Sequence, residues 1–236
     1  MQIYKAKLID NIKRTLSTES FRFSTGDKIN FLAGQFLQVI FDQANASNKE
    51  LNKYLSFSSS PVKQYIEVTK RLSSSQFSQR LKSLNTGEEI LIKAPLGNCI
   101  FKDEYKKIGF LIGGIGITPV ISIIEYITDK NLDTDIVLFY SNRTEEEIAF
   151  RNELDYWQSL NNKIKIVYTV TDCQSQDKKC IFGRIDEDLL KSNINDLHER
   201  IFFIFGPPAM VEAMNKLCIG LGCNKEYIKT ENFIGY

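Results

Sequence analysis

The chain has one histidine and five cysteines in 236 residues, and neither residue type is placed to build a metal or disulfide framework. Cys99, Cys173, Cys180, Cys218 and Cys223 are odd in number and widely spaced. That excludes a secreted disulfide scaffold and the tight clusters that hold zinc or iron–sulfur centres. Cys173 and Cys180 flank a polar loop and form the one plausible pair, with free thiols the favoured reading. His198 lies in Asp196-Leu-His-Glu-Arg200, a polar run expected at the surface. Charge of either sign is not in excess: 30 basic residues face 29 acidic ones. Neither nucleic acid nor an anionic membrane is therefore expected as the main partner. No apolar run approaches the roughly 20 residues that span a bilayer, and the N-terminus lacks a signal-peptide pattern. No stable membrane insertion is expected, and the location expected is cytoplasmic. Repeats are lacking too, and residues 45–52 and 173–179 read as surface loops.

What is present is a change of rhythm. In the first hundred residues, short β-rich runs at 3–9, 20–24, 35–41, 54–58, 65–70 and 89–94 are separated by turn signals. They predict a small antiparallel barrel. Phe77, Leu81 and Leu84 fall at helical spacing, with Gly87 as a stop, so one helix over 76–84 interrupts it. From Ile108 onward, apolar strands at 108–112, 135–140, 163–170, 201–205 and 227–230 alternate with helices at 118–126, 144–160, 186–191 and 207–221. That alternation predicts a doubly wound α/β parallel sheet, which binds ligands at the carboxyl ends of its strands. The boundary falls in the charged connection 103–107, dividing the chain into domains 1–102 and 103–236.

Two segments carry chemistry. Gly113-Gly114-Ile-Gly116-Ile-Thr118-Pro119 puts a flexible turn where a strand meets a helix, with Thr118 as N-cap and Pro119 as first helical residue. Such a junction seats phosphate, because glycines admit the ligand close to free N–H groups at the positive helix end. The third glycine of the dinucleotide fingerprint is absent, so an ordinary glycine turn is equally open. Lys53-Tyr-Leu-Ser-Phe-Ser-Ser-Ser-Pro61 offers a cation, hydroxyls and backbone donors. It suits a pyrophosphate and the polar edge of a flat ring, or else a serine-rich turn closing a hairpin.

Together these segments resemble the ferredoxin–NADP reductase superfamily of two-domain flavoprotein oxidoreductases, over essentially the whole chain. Ala33-Gly-Gln-Phe36 is similar to the stretch before the family's flavin motif Arg-x-Tyr-Ser, read here as Lys53-Tyr54-Leu55-Ser56 and continuing through Phe57 and Ser58 to Pro61. The resemblance implies a flavin phosphate at Lys53, the isoalloxazine against the aromatic position of the motif, and the Ser56 hydroxyl near the N5 edge. Lys53 keeps the charge of arginine without its planar fork. Leu55 keeps apolar cover without the phenol. Val68-Thr69-Lys70 resembles the strand that touches the ribityl chain and ring. Ser75-Gln76-Phe77-Ser78-x-x-Leu81 resembles Gly-x-x-Ser-x-x-Leu, whose helix start cradles the flavin pyrophosphate, with Ser75 in place of glycine. Ala94-Pro-Leu-Gly97 resembles the Gly-Pro-x-Gly that closes the flavin domain.

In the second half, Gly113 to Pro119 is similar to Gly-Gly-x-Gly-x-Thr-Pro at the nicotinamide pyrophosphate, which puts Thr118 near both rings. Phe205-Gly206-Pro207-Pro208-Ala-Met210 resembles Cys-Gly-Pro-Pro-x-Met, with Phe205 standing where the cysteine would be. Tyr140-Ser141-Asn142-Arg143 lies where the family meets the adenosine ribose; Ser141 and Arg143 suit a 2′-phosphate and lean the reading toward NADPH, unless Arg143 merely caps a surface loop. Glu231-Asn-Phe233-Ile-Gly-Tyr236 resembles the family's Glu-x-Phe ending. Phe233 or Tyr236 would cover the flavin and Glu231 would polarise the nicotinamide site, or the segment is a plain packed tail. The implied catalytic residues are Ser56, Thr118 and Glu231, the cofactors FAD and NAD(P)H, and no metal. The implied function is hydride transfer between NAD(P)H and bound FAD, with electrons passed to a separate acceptor such as a ferredoxin-like or oxygenase component, since no iron–sulfur domain is fused. Two alternatives are a flavin or ferric reductase using loosely bound flavin, and an electron-transfer subunit active only in a complex.

Overall fold

Alternation of apolar and polar side chains puts one face of each N-terminal strand inward. Ala6 and Leu8, Phe21 and Phe23, and Ile90, Ile92 and Ala94 are all buried in one core. The computed structural model describes residues 2–45, 47–172, 177 and 179–233. Strands β1 (Gln2–Lys13), β2 (Thr18–Thr25), β3 (Phe36–Ile40), β4 (Asn52–Ser56), β5 (Ile66–Arg71) and β6 (Glu89–Leu96) form an antiparallel sheet in the order β4-β3-β6-β1-β2-β5. The sheet curls until its edges meet: Phe57 bridges Val68, and Ser58 N–H donates to the Glu67 carbonyl at 2.8 Å. Helix α1 (Gln76–Lys82) plugs one end with Phe77 and Leu81.

The second sheet is parallel, in the order β10-β9-β8-β7-β11-β12, from β7 (Lys107–Gly113), β8 (Asp135–Asn142), β9 (Ile164–Val170), β10 (Cys180–Phe182), β11 (Ile201–Gly206) and β12 (Ile228–Asn232). Helices α4 (Glu187–Asn193) and α5 (Pro208–Gly220) cover one face, where Leu190, Val211 and Met214 share a core with Leu111, Phe139 and Ile204. Helix α3 (Arg151–Leu160) lies on the other, where the Tyr168 hydroxyl donates to Asp155 at 2.8 Å. The strand order reverses between β7 and β11, the topological switch point of the sheet.

The chain divides into two compact units, Met1–Phe101 with Thr118–Lys130, and Lys102–Ile117 with Asn131–Gly235. Helix α2 (Ile117–Asp129) therefore packs within the first unit, although it follows the boundary in the sequence. Other departures are local. The single helix expected over 144–160 is broken: a 3-10 turn at Glu145–Glu147 ends before Ile148, Ala149 and Phe150, all buried, and α3 starts only at Arg151. Three successive apolar residues cannot all face inward from one helix, so the chain turns, with Phe150 at φ 61°. Strand β10 lies just beyond the expected loop 173–179, most of which, including Cys173, is outside the described residues. Cys180 is a free thiol. His198 is exposed, its Nδ1 3.0 Å from the Gly222 carbonyl. Among the described residues no helix is long and apolar enough to cross a membrane.

At the amino ends of the parallel strands, Arg200 ties three elements together. It is 5% exposed, pairs with Asp196 at 2.6 Å and Asp135 at 2.5 Å, and donates to the Ile108 carbonyl at 3.1 Å. Removing one member of such a buried network strands the others. Arg200→Met is expected to lower the unfolding free energy by about 2–3 kcal/mol, the low side for a buried pair because both carboxylates reach solvent. A urea midpoint equal to the parent's would contradict this.

Candidate active site

On β4 the side chains alternate, so Lys53 and Leu55 share one face and Tyr54 and Ser56 the other. Leu55 is half-buried against the barrel core. Tyr54 is 62% exposed, its ring edge-on to Phe36 at 5.7 Å, so it does not share the Leu55 face. Lys53 lies close enough to Lys70 on β5 for their charges to interact. Burial, and then the Lys53 ammonium, hold Lys70 below the usual lysine range. Two cations converging between the two edge strands of the barrel fit an anion such as a flavin phosphate, which would offset their mutual repulsion.

Several expected flavin contacts are otherwise engaged. Phe57 and Phe77 are fully buried, stacked on Phe31 at 3.8 Å and tilted against Phe41 at 5.3 Å, and Val68 is fully buried in the same core. Only the backbone at these three positions is left for a cofactor. The Thr69 hydroxyl is shared with Ser20 at 2.6 Å and Ser58 at 2.7 Å, and Ser58 also donates to Glu67 Oε1 at 3.1 Å. Sequence reasoning missed what anchors them: Glu67, 2% exposed, pairs with Arg14 at 3.2 Å and Arg22 at 2.8 Å. At α1, Ser75 caps the helix by accepting the Ser78 N–H at 3.3 Å, and the hydroxyls of Ser73, Ser75 and Ser78 lie 3.1–3.3 Å apart. Gln76 opens the helix.

A second candidate region lies at the switch point of the parallel sheet. Gly113 ends β7, and a 3-10 turn at Gly114–Gly116 leads into α2. Thr118 is thus the second residue of α2 and Pro119 the third, not the cap and first residue: the 3-10 turn begins the winding earlier. Thr118 is buried. Gly114 holds φ 51°, which glycine adopts without strain. A Cβ on Gly116 would lie 2.6 Å from the Phe205 carbonyl oxygen, and one on Gly113 would run into Met210 and come within 3.1 Å of Pro207. The two strand-to-helix turns therefore meet backbone to backbone, with Gly206 3.2 Å from the Gly113 nitrogen by the same measure. Pro208 opens α5. Glycine at 113 and 116 thus permits this close packing, while the Cβ position of Gly114 faces open space, so a dinucleotide pyrophosphate can approach the turn there.

Phe205, where the resemblance expects cysteine, is fully buried between Phe203 at 5.8 Å and Phe233 at 6.5 Å. Phe233 is fixed by its N–H to the Gly206 carbonyl at 2.9 Å; Tyr236 is outside the described residues. In register, Glu231 on β12 stands beside Phe205, which stands beside Ile112 on β7. Glu231 Oε2 is buried and has no hydrogen-bond partner among the described residues; burial pushes the carboxyl up to about 7. On β8, Asn142 is 6% exposed with its Nδ2 unpartnered among the described residues, Ser141 is half-buried, and Arg143 is exposed.

Residues 5–101 match the oxidoreductase FAD-binding domain family, and residues 110–216 match the oxidoreductase NAD-binding domain family. The chain belongs to the oxidoreductases built from these two domains, FAD-binding and then NAD-binding. It is an FAD-dependent NAD(P)H oxidoreductase. Over 229 residues it is 27% identical to NADH-cytochrome b5 reductase 1 of Mortierella alpina, covering 94% of this chain and 76% of that protein. It is 32% identical over 151 residues to the nitrate reductase (NADH) of Solanum lycopersicum, covering 58% of this chain but only 17% of that much longer protein. A ferredoxin–NADP reductase from Neisseria gonorrhoeae, solved with bound FAD and NADP, has a TM-score of 0.82 at 21% identity and covers 98% of this chain and 99% of its own.

The raised Glu231 value has a signed consequence for this reductase. A carboxyl whose folded value, about 7, exceeds its unfolded one favours folding while protonated in both states, below the unfolded value. That contribution is lost as pH climbs through the folded value. Glu231→Gln, neutral throughout, is expected to gain stability over the parent from pH 5 to pH 8 and to hold the gap above that. Melting temperatures of the two proteins at pH 5 and pH 8 check this; a gap independent of pH would contradict it.

Proposed function

We propose that this reductase uses NADH and passes electrons from FAD to a separate protein carrying a one-electron centre. When bound, FAD supplies a ring that takes up a hydride and releases its electrons singly. The protein's part is to hold, orient and cover. In this reading Lys53 and Lys70 hold the flavin phosphate, and Ser56 offers a hydroxyl to the ring edge. The Gly113–Gly116 turn receives the dinucleotide pyrophosphate, and Thr118 and Glu231 line the nicotinamide end. Above pH 7 the Glu231 carboxylate favours the positively charged oxidised nicotinamide; below it the neutral acid is a donor to the carboxamide.

The choice of NADH rests on one observation. Arg143 suggested a 2′-phosphate, but the turn that follows it carries Glu145, Glu146 and Glu147. The Glu146 carboxyl is held below its ordinary value by the Thr144 hydroxyl, so it stays ionised. One arginine followed directly in the chain by three carboxylates disfavours a dianionic phosphate and suits a ribose diol. The relatives named for NADH support the same donor, and the fungal relative named for cytochrome b5 supports a protein acceptor. With ferricyanide as oxidant, kcat/KM for NADH is expected to exceed that for NADPH by about tenfold or more. Equal values or a preference for NADPH would overturn the donor assignment. Reduction of added cytochrome b5 or ferredoxin then tests the acceptor.

A second reading, reduction of loosely held free flavin, is favoured by Lys53 in place of a forked arginine and by the Ser75 hydroxyl already holding the Ser78 N–H. FAD retained through gel filtration would count against it.

A further inference from the structure

Helix α2 is apolar on nearly every side: Val120, Ile121, Ile123, Ile124 and Ile127 are all buried. One stripe differs. Ser122, fully buried, and Glu125 lie one turn apart, and both reach the segment that continues β4 beyond Ser56. The Ser122 hydroxyl donates to the Ser59 carbonyl at 2.7 Å, and the Ser60 N–H donates to Glu125 Oε2 at 2.6 Å. Lys63 closes the grip on Glu125 at 3.4 Å and on Asp129 at 3.0 Å. The same segment is fixed from its other side by Glu67, whose carbonyl accepts the Ser58 N–H at 2.8 Å and whose N–H donates to Ser59 Oγ at 2.9 Å.

Burial alone does not call for this arrangement. An apolar pair at 122 and 125 would bury as well without desolvating a carboxylate, and buried polar contacts of this kind fix register more than they add stability. The register they fix joins two parts of the reaction. One is β4 with Ser56; the other is the helix whose first turn carries Thr118 and Pro119. We propose that Ser122 and Glu125 are positioning residues for hydride transfer, holding the flavin strand to the helix that opens at the dinucleotide turn. This rests on the reading that Lys53–Ser56 meets the flavin and the Gly113–Pro119 turn meets the nucleotide. Reacting atoms tolerate little displacement, and an ångström costs about 100-fold in rate.

The test is anaerobic stopped-flow reduction of the FAD-loaded protein by NADH, which separates the limiting rate from the donor Kd. Glu125→Ala is expected to lower the limiting rate by about tenfold or more, with flavin content and NADH Kd within about twofold of the parent. Glu125→Gln keeps an oxygen for the Ser60 N–H and is expected to restore most of that rate. Ser122→Ala, which removes a single hydroxyl and serves if Glu125→Ala does not fold, is expected to give a milder form of the same loss. A parental limiting rate in Glu125→Ala or in Ser122→Ala would overturn the proposal, and so would equal loss in Glu125→Ala and Glu125→Gln. If neither NADH nor NADPH reduces the parent, the underlying reading of the site fails as well, and that result is distinct from the other two.

Discussion

The Gly116 main chain lies against the carbonyl of Phe205 so closely that no side chain fits between them, and much of the second unit depends on that approach. It lets the carboxyl ends of β7 and β11 sit side by side at the point where the strand order reverses. It brings two neighbouring strand-to-helix turns together, with open space beside Gly114, which suits a doubly charged phosphate group. It also aligns Glu231 with Phe205 and Ile112, so a carboxyl reaches the same end of the sheet from the last strand. The substitution of Phe205 for cysteine is tolerated by this geometry because its ring turns into a cluster with Phe203 and Phe233.

The first unit is organised by a different constraint, a buried carboxylate. Glu67 faces two guanidinium groups and a chain of hydroxyls from Ser58, Thr69 and Ser20. Such a network is stable only when each member is satisfied, and here the satisfaction comes from residues far apart in sequence. It anchors the corner where β4 runs toward β5, beside the seam in which Lys53 and Lys70 converge. Rigid support beneath and cations in front together suit an anionic group, which the walls could receive without rearranging.

The strands and most helices were legible because their faces are written in periodicity. Ala6 with Leu8, Phe21 with Phe23, and the apolar run of β7 announce burial directly. The glycine turn, Phe205–Met210 and the serine-rich segment were legible as motifs, since turn chemistry is local. What was not legible is pairwise. Nothing in Ser122 and Glu125 as letters says that they grip Ser59 and Ser60, and Glu67 in a β-rich run gives no sign of two arginine partners. The break at Ile148–Phe150 was hidden by acidic residues that read as a helix start. The start of α2 is obscured in the sequence because a threonine before proline mimics a cap that the 3-10 turn makes unnecessary. Thr69, Ser58, Phe57 and Phe77 carried the right motif letters, yet their side chains serve the barrel; a motif specifies where backbone runs more firmly than where each side chain is spent.

Reduction by one nicotinamide of a flavin held by this chain is the central claim to test. The direct measurement is the visible absorption spectrum of the FAD-loaded protein before and after anaerobic addition of NADH, with NADPH added to a second sample. The prediction is a flavin spectrum that NADH bleaches within the mixing time and NADPH bleaches far more slowly. A protein that takes up no FAD, or whose bound FAD keeps its colour with both donors, would contradict it.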